Sequence, residues 1–207
     1  MEDHSSRRED LLIDSNLSND GELSFEIEFP LSFPNLDSPN DNDNGVRMVI
    51  LKAFISENEG VIENIKLQMY SDNDLYFLFV SDFTEETFNS LKESQSLDES
   101  LDFSHFPSMM HEIISKVAES KDFLAKFEFN GEEKGKLIFS QKLKFKEVEI
   151  FDMEFEKAKD EEIVNQVQIR YEAVKNELKA AKAELNDLYT MLKIKNPNVL
   201  KQMRHKK

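Results

Sequence analysis

The sequence predicts an α+β protein: a strand-rich head interrupted by two helices, then a helix that pairs with a second copy of itself. Three observations carry this. Leu23-Ser24-Phe25-Glu26-Ile27-Glu28-Phe29 alternates strictly between apolar and polar residues, as a strand with one buried face should, and similar runs recur up to about residue 155. Two segments with helical periodicity break the run of strands near its middle. Near the C-terminus, nine apolar residues stand alternately three and four apart without exception.

The boundaries read from composition are a polar leader over 1–21, a head over 22–157, a coiled-coil helix over 158–195 and a basic tail over 196–207. The leader has one small apolar cluster, Leu11-Leu12-Ile13, and reads as disordered. Within the head, Val46–Ile55 and Val61–Tyr70 read as strands joined by a turn at Asn58-Glu59-Gly60, after a long exposed loop from Pro34 to Gly45. Ser71-Asp72-Asn73-Asp74 is a turn, and the apolar run Leu75–Val80 suits a fully buried strand. Thr84 is a helix N-cap with Glu85 and Glu86 in the first turn, and Phe83 and Phe88 are placed as a hydrophobic staple; this helix runs to about Lys92. A second helix spans Ser104 to about Glu119, with Pro107 in its first turn and Phe106, Met109, Met110, Ile113, Ile114 and Val117 along one stripe. Phe123–Phe129 alternates, Asn130-Gly131 signals a hairpin, and return strands follow at Lys136–Ser140 and about Phe145–Phe155.

The seam consists of Val164, Val167, Tyr171, Val174, Leu178, Ala181, Leu185, Leu188 and Leu192, an a/d repeat over four heptads. In a parallel dimer Glu177 at g meets Lys182 at e of the partner favourably, whereas Arg170 meets Lys175 unfavourably, so charge supports the pairing only weakly. The competing reading is one amphipathic helix folded back on its own head; a strict 3.5 repeat is narrower than that role needs. Pro197 ends the helix.

Composition narrows the function. The 207 residues carry a net charge of −16, and because Lys193–Lys207 holds six Lys/Arg and no acid, residues 1–192 carry −22. Such a chain repels phosphate backbones, so nucleic acid is disfavoured as a partner. There is no cysteine, hence no disulfide, thiolate metal site or Cys nucleophile. No apolar run approaches the roughly 20 residues that span a bilayer, and the N-terminus shows no secretion signal; an intracellular protein with no membrane partner is expected. His105 and His111 are six apart and fall on different helix faces. Asn40–Gly45 imitates the start of an EF-hand loop, but the position that needs a bidentate acid is Leu51. Five scattered glycines build no phosphate-binding loop. The expectation is a non-enzymatic protein without metal or cofactor.

Four motifs in order carry a resemblance: the acidic turn Asp72–Asp74 before Tyr76-Phe77-Leu78-Phe79; Glu85-Glu86-Thr87-Phe88-Asn89-Ser90-Leu91-Lys92; Leu101-Asp102-Phe103-Ser104-His105-Phe106-Pro107; and Phe145–Phe155 leading to Asp160-Glu161-Glu162-Ile163. Over about residues 23–165 the chain resembles the head and coil start of the centriolar cartwheel protein family, spindle assembly abnormal protein six. It departs from the family pattern in the longer, polar link Ser96–Ser100 and in Lys142-Leu143-Lys144 near the last hairpin tip. Its seam covers four heptads where other members continue into a very long coil, which fits either a short paralogue or a truncated copy.

The resemblance implies a small antiparallel β-barrel or sandwich with a helix-turn-helix insertion and a projecting coiled-coil helix. It further implies self-association, as a homodimer through the coil and a higher oligomer through the heads, and a place at centrioles, basal bodies or related microtubule structures of the cytoplasm, with other centriolar or microtubule-associated proteins as further partners. DNA end-joining scaffolds share this head-plus-coil architecture and are the alternative, although they need basic, DNA-facing surfaces. Phe145 lies between lysines next to a hairpin tip, and the resemblance aligns it with the apolar side chain that the family inserts into a neighbouring head; the competing reading is a core Phe at the start of a strand. Leu143 is the second anchor if the register shifts. Phe106, Met110 and Ile113 on the second helix are the candidate receiving pocket.

Overall fold

The computed structural model describes residues 21–34 and 45–195. The expected leader, most of the Pro34–Gly45 loop and the basic tail over 196–207 lie outside the described residues. Those described fall into two compact units, one through Ile163 and one from Val164 onward.

The head has seven strands, each overlapping one of the runs read from the sequence: β1 (Glu22–Ser32), β2 (Val46–Asn58), β3 (Val61–Tyr70), β4 (Leu78–Phe83), β5 (Phe123–Phe129), β6 (Lys134–Lys142) and β7 (Glu147–Lys157). They pair in the order β1-β2-β3-β4-β7-β6-β5, and a parallel contact of Ser32 with Lys126 joins β5 back to β1. Every other pairing is antiparallel. The alternating apolar residues face inward together: Phe29, Leu51, Ile65, Leu67, Phe127, Leu137 and Phe155 are among those wholly buried. Phenylalanine dominates this interior. The Phe127 ring has neighbouring ring centroids at 5.0 Å (Phe79), 5.1 Å (Phe129) and 6.0 Å (Phe77), in edge-to-face geometries that suit the aromatic quadrupole.

Two differences from the sequence reading have local causes. The run from Leu75 begins in a turn, not a strand. The Asp74 carboxylate accepts from the Tyr76 N–H at 3.1 Å, and the Asp74 carbonyl accepts from the Phe77 N–H at 3.2 Å. This holds Leu75 and Tyr76 outside, Tyr76 with 73% exposure, and the strand starts at Leu78. The Asn130-Gly131 hairpin forms, with Gly131 at φ 85°, but the Asn130 N–H reaches the Lys134 carbonyl at 2.9 Å, so the connection is longer than two residues.

Between β4 and β5 run α1 (Glu85–Ser94), a 3-10 turn (Phe103–His105) and α2 (Phe106–Glu119). Thr84 caps α1 by accepting from the Thr87 N–H, while the Thr87 hydroxyl accepts from the Thr84 N–H at 2.9 Å, a reciprocal box. Phe83 and Phe88 are both buried, as a staple requires. The stripe of α2 lies on the core through Phe106, Met110, Ile114 and Val117. Helix α1 ends with Ser96 at φ 52°, its N–H on the Glu93 carbonyl at 3.3 Å and the Leu97 N–H on the Lys92 carbonyl at 3.0 Å. These two bonds define a Schellman cap with serine in the left-handed position that glycine occupies without a steric cost. Ser96→Gly is therefore expected to stabilise the head by about 0.5–1 kcal/mol. A thermal melt raised by a few degrees checks this, and a lowered one refutes it.

The third helix, α3 (Asp160–Lys195), carries three acids in its first turn and Lys193 and Lys195 in its last, both favourable to the helix dipole. Its 36 residues extend about 54 Å at 1.5 Å per residue.

Candidate self-association surfaces

The β6–β7 hairpin turns through Leu143-Lys144-Phe145-Lys146, closed by a 2.8 Å hydrogen bond from the Leu143 N–H to the Lys146 carbonyl. Strand pairing runs to Lys142 and Glu147, so Phe145 falls in the turn and not in a strand. Its ring is 90% exposed, with the Lys144 ammonium 5.4 Å from the ring centroid; Leu143 is 45% exposed. No core contact accounts for Phe145, which rules out the reading of it as a core residue.

The base of the tip is fixed by charge and hydrogen bonds. Glu147 pairs with Lys126 across the sheet and accepts from the Ser140 hydroxyl at 2.7 Å. The Lys126 hydrogen bond, then that of Ser140, holds the Glu147 carboxyl below the usual carboxylate range. A depressed carboxyl contributes stability above its unfolded-state pKa and loses it as pH falls through the lower, folded value, so the anchor is intact at neutral pH. The Lys142 N–H bonds the Asp122 carbonyl at 2.7 Å, and Lys136 pairs with Asp152 at 3.0 Å, which raises the lysine.

β7 is held by side chains where β4 leaves it. β4 pairs with β7 at Phe79–Lys157 and Val80–Glu156. Beyond them the Ser81 hydroxyl donates to the Glu154 carbonyl at 2.7 Å. The Gln95 amide then donates to the Asp152 carbonyl at 2.5 Å and accepts from the Asp152 N–H at 3.0 Å. Nothing in the sequence signals Gln95 or Ser81 for this, because each partner is more than 50 residues away.

The candidate receiving residues are placed differently from the expectation. Phe106 and Met110 are wholly buried in the core, with the Phe106 ring 4.8 Å from Phe83 and 5.1 Å from Phe88. As the head stands they offer no surface to an incoming side chain; α2's apolar stripe is consumed by its own head. Ile113 is half-buried at the edge of that stripe.

On α3, Val164, Tyr171, Val174, Leu178, Ala181, Leu185 and Leu188 are exposed, and Val167 and Leu192 are half-buried. From Val174 to Leu188 the seam is an open apolar stripe along a helix whose other positions are mostly polar, the arrangement that a facing helix covers.

A seven-stranded α+β head with an exposed aromatic at a pinned hairpin tip, followed by a helix with an open heptad seam, defines a head-plus-coil protein. Residues 23–155 match the family model of the centriolar protein SAS N-terminal domain, SAS-6_N, and the chain belongs to the SAS-6 family. Among solved structures, it is similar to a mutant N-terminal fragment of Leishmania SAS-6 containing parts of its coiled-coil domain, with a TM-score of 0.68 and 18% identity over 86% of this chain and 98% of that one. It is also similar to the N-terminal coiled-coil dimer of C. elegans SAS-6, with a TM-score of 0.55 and 17% identity over 79% of this chain and 97% of that one. At such identities the likeness is one of fold. No protein of curated function matches the sequence significantly.

Proposed function

We propose that this chain is a non-enzymatic, self-assembling scaffold of the centriolar cartwheel type, acting at centrioles, basal bodies or related microtubule structures. Two chains pair through the α3 seam, and heads join through Phe145, with Leu143 beside it. The observation that carries the reading is Phe145: a large apolar side chain 90% exposed on a tip held by Lys126, Ser140 and Asp122. An exposed aromatic on a pre-organised support is the composition of an interface anchor. Family membership and the dimer named in the C. elegans structure support the coil half.

Burying one Phe contributes about 1.5–3 kcal/mol, so an isolated head–head contact is weak. Dimerisation through the coil links the heads in pairs and raises their effective concentration. Two independent self-contacts on one chain then generate a ring or a filament according to the angle between them.

Phe145→Asp is expected to abolish assemblies larger than the coil-mediated species while leaving the head's thermal melt unchanged, since the ring contributes nothing to the core. Sedimentation velocity and melting of the two proteins check both halves. Unfolding of the variant, or persistence of its head-mediated oligomers, removes the proposal. A fluorescently tagged chain should mark centrioles or basal bodies; nuclear foci induced by DNA breaks would favour the end-joining alternative.

A further inference from the structure

Among the described residues, four hydroxyl side chains have an acid three positions further on: Ser56 (Glu59), Ser71 (Asp74), Ser90 (Glu93) and Ser96 (Glu99). That spacing suits a kinase whose substrate cleft is basic, because carboxylates just beyond the acceptor meet its cations. The sequence ranks the four alike; the fold does not. Ser56 lies in β2, paired with Asn64 of β3. Ser71 is buried, and its hydroxyl donates to the Met48 carbonyl at 3.2 Å. Ser90 is inside α1, with its hydroxyl on the Glu86 carbonyl at 3.1 Å. Ser96 alone of the four stands outside helix and strand, exposed, and its hydroxyl makes no hydrogen bond among the described residues.

Acids surround Ser96. Asp98 is two positions after it, Glu93 three before it, and no Lys or Arg occurs from Glu93 to Ser115. The link is held by Leu97 and Leu101, both half-buried, and by the Lys92 ammonium on the Glu99 and Leu101 carbonyls at 3.2 and 3.1 Å. So short and exposed a segment opens locally while the head stays folded, as an acceptor entering a kinase cleft must.

We propose that Ser96 is a phosphorylation site for an acid-directed serine kinase, and that the phosphate loosens α1 from β7. The γ-phosphoryl group of ATP passes to Ser96 Oγ, the hydroxyl proton goes to the general base of the kinase, and ADP leaves. The phosphate then sits at the C-terminal end of α1, where the last carbonyls concentrate negative charge and Glu93, Asp98 and Glu99 add to it. Lys92 is the nearest base in the sequence, and the phosphate competes with the two carbonyls for its ammonium as the stronger, charged acceptor. Both the Schellman cap and the Lys92 strap weaken. Gln95, the preceding residue, thereby loses its fixed place on the Asp152 N–H and carbonyl of β7.

Casein kinase II with magnesium and ATP is the probe, acting on the whole folded chain, and peptide mass spectrometry reads the acceptor. Of the four serines, Ser96 is expected to carry the phosphate, and Glu99→Gln should slow its modification by about tenfold or more. Ser96→Gly, which keeps the left-handed cap, should remove that phosphate. In amide exchange, the Asp152 N–H should exchange about tenfold faster in the phosphorylated chain, the equivalent of one lost hydrogen bond. Ser96→Gly chain treated in the same way should show no such change. Ser96 left unmodified, a rate indifferent to Glu99→Gln, or a phosphate chiefly on Ser56, Ser71 or Ser90 overturns the site. A phosphorylated Ser96 with Asp152 as protected as before overturns the loosening of α1 from β7.

Discussion

Leu178→Asp combined with Leu185→Asp is expected to leave the protein monomeric at every practical concentration, with the head intact. Both are a positions of the seam, both are exposed on the isolated helix, and neither has a role in the head core. A Leu buried at a or d contributes about 1.5–3 kcal/mol, and the pair occurs in both chains, so on the order of 6 kcal/mol or more of association is lost. Since about 1.4 kcal/mol is tenfold in affinity, that is at least four decades. The new carboxylates also face one another across the seam, where like charges repel. A four-heptad coil has no reserve against such a loss. Equilibrium sedimentation of the double variant reads the mass directly, and circular dichroism reads the head. A variant that stays dimeric with an unaltered constant would show that the chains pair elsewhere.

The elements legible in the sequence are those set by local periodicity. β3 and β5 begin and end where the sequence reading places them, bounded by turn residues: Asn58-Glu59-Gly60 before β3, Ser71-Asp72-Asn73-Asp74 after it and Asn130-Gly131 after β5. Thr84, Phe83 and Phe88 were equally readable, since a cap and a staple lie within one turn. The heptad seam needs no tertiary information, because its spacing is set within one helix. Phe145 was ambiguous because alternation continues through the hairpin tip; the hydrogen bond of Leu143 to Lys146 and the pairing of Lys142 with Glu147 decide it. What periodicity cannot reveal is which apolar face is already occupied. Phe106 and Met110 form as good a stripe as any docking groove, and their burial against Phe83 and Phe88 is settled by distant parts of the chain. Gln95 on the Asp152 backbone is invisible for the same reason.

Gly135→Ala tests the tightest of these non-local fits and is expected to destabilise the head by about 2–3 kcal/mol, at the upper end of what an added methyl costs in a packed core. Gly135 lies in β6, paired with Phe129 on one side and Phe155 on the other. Its backbone is ordinary extended chain, so no left-handed conformation requires glycine there. The requirement is space: a Cβ at this position would lie far inside contact distance of Cζ and Cε1 of Phe127. A ring end can often swing aside, but Phe127 is wholly buried, and Phe79, Phe129, Phe77, Phe33 and Phe155 surround it with centroids 5.0–6.4 Å away. The small gain from a less flexible unfolded chain, about 0.4–1 kcal/mol, does not offset that clash. For a head of this size the melt should fall by about 10 °C. Phe127→Leu removes the far edge of the ring and opens the space a Cβ needs, so the double variant should melt higher than the two single losses added together, a coupling of about 1 kcal/mol or more. Strict additivity, or a Gly135→Ala protein that melts with the wild type, would mean that the ring cluster yields and that Gly135 is not fixed by Phe127.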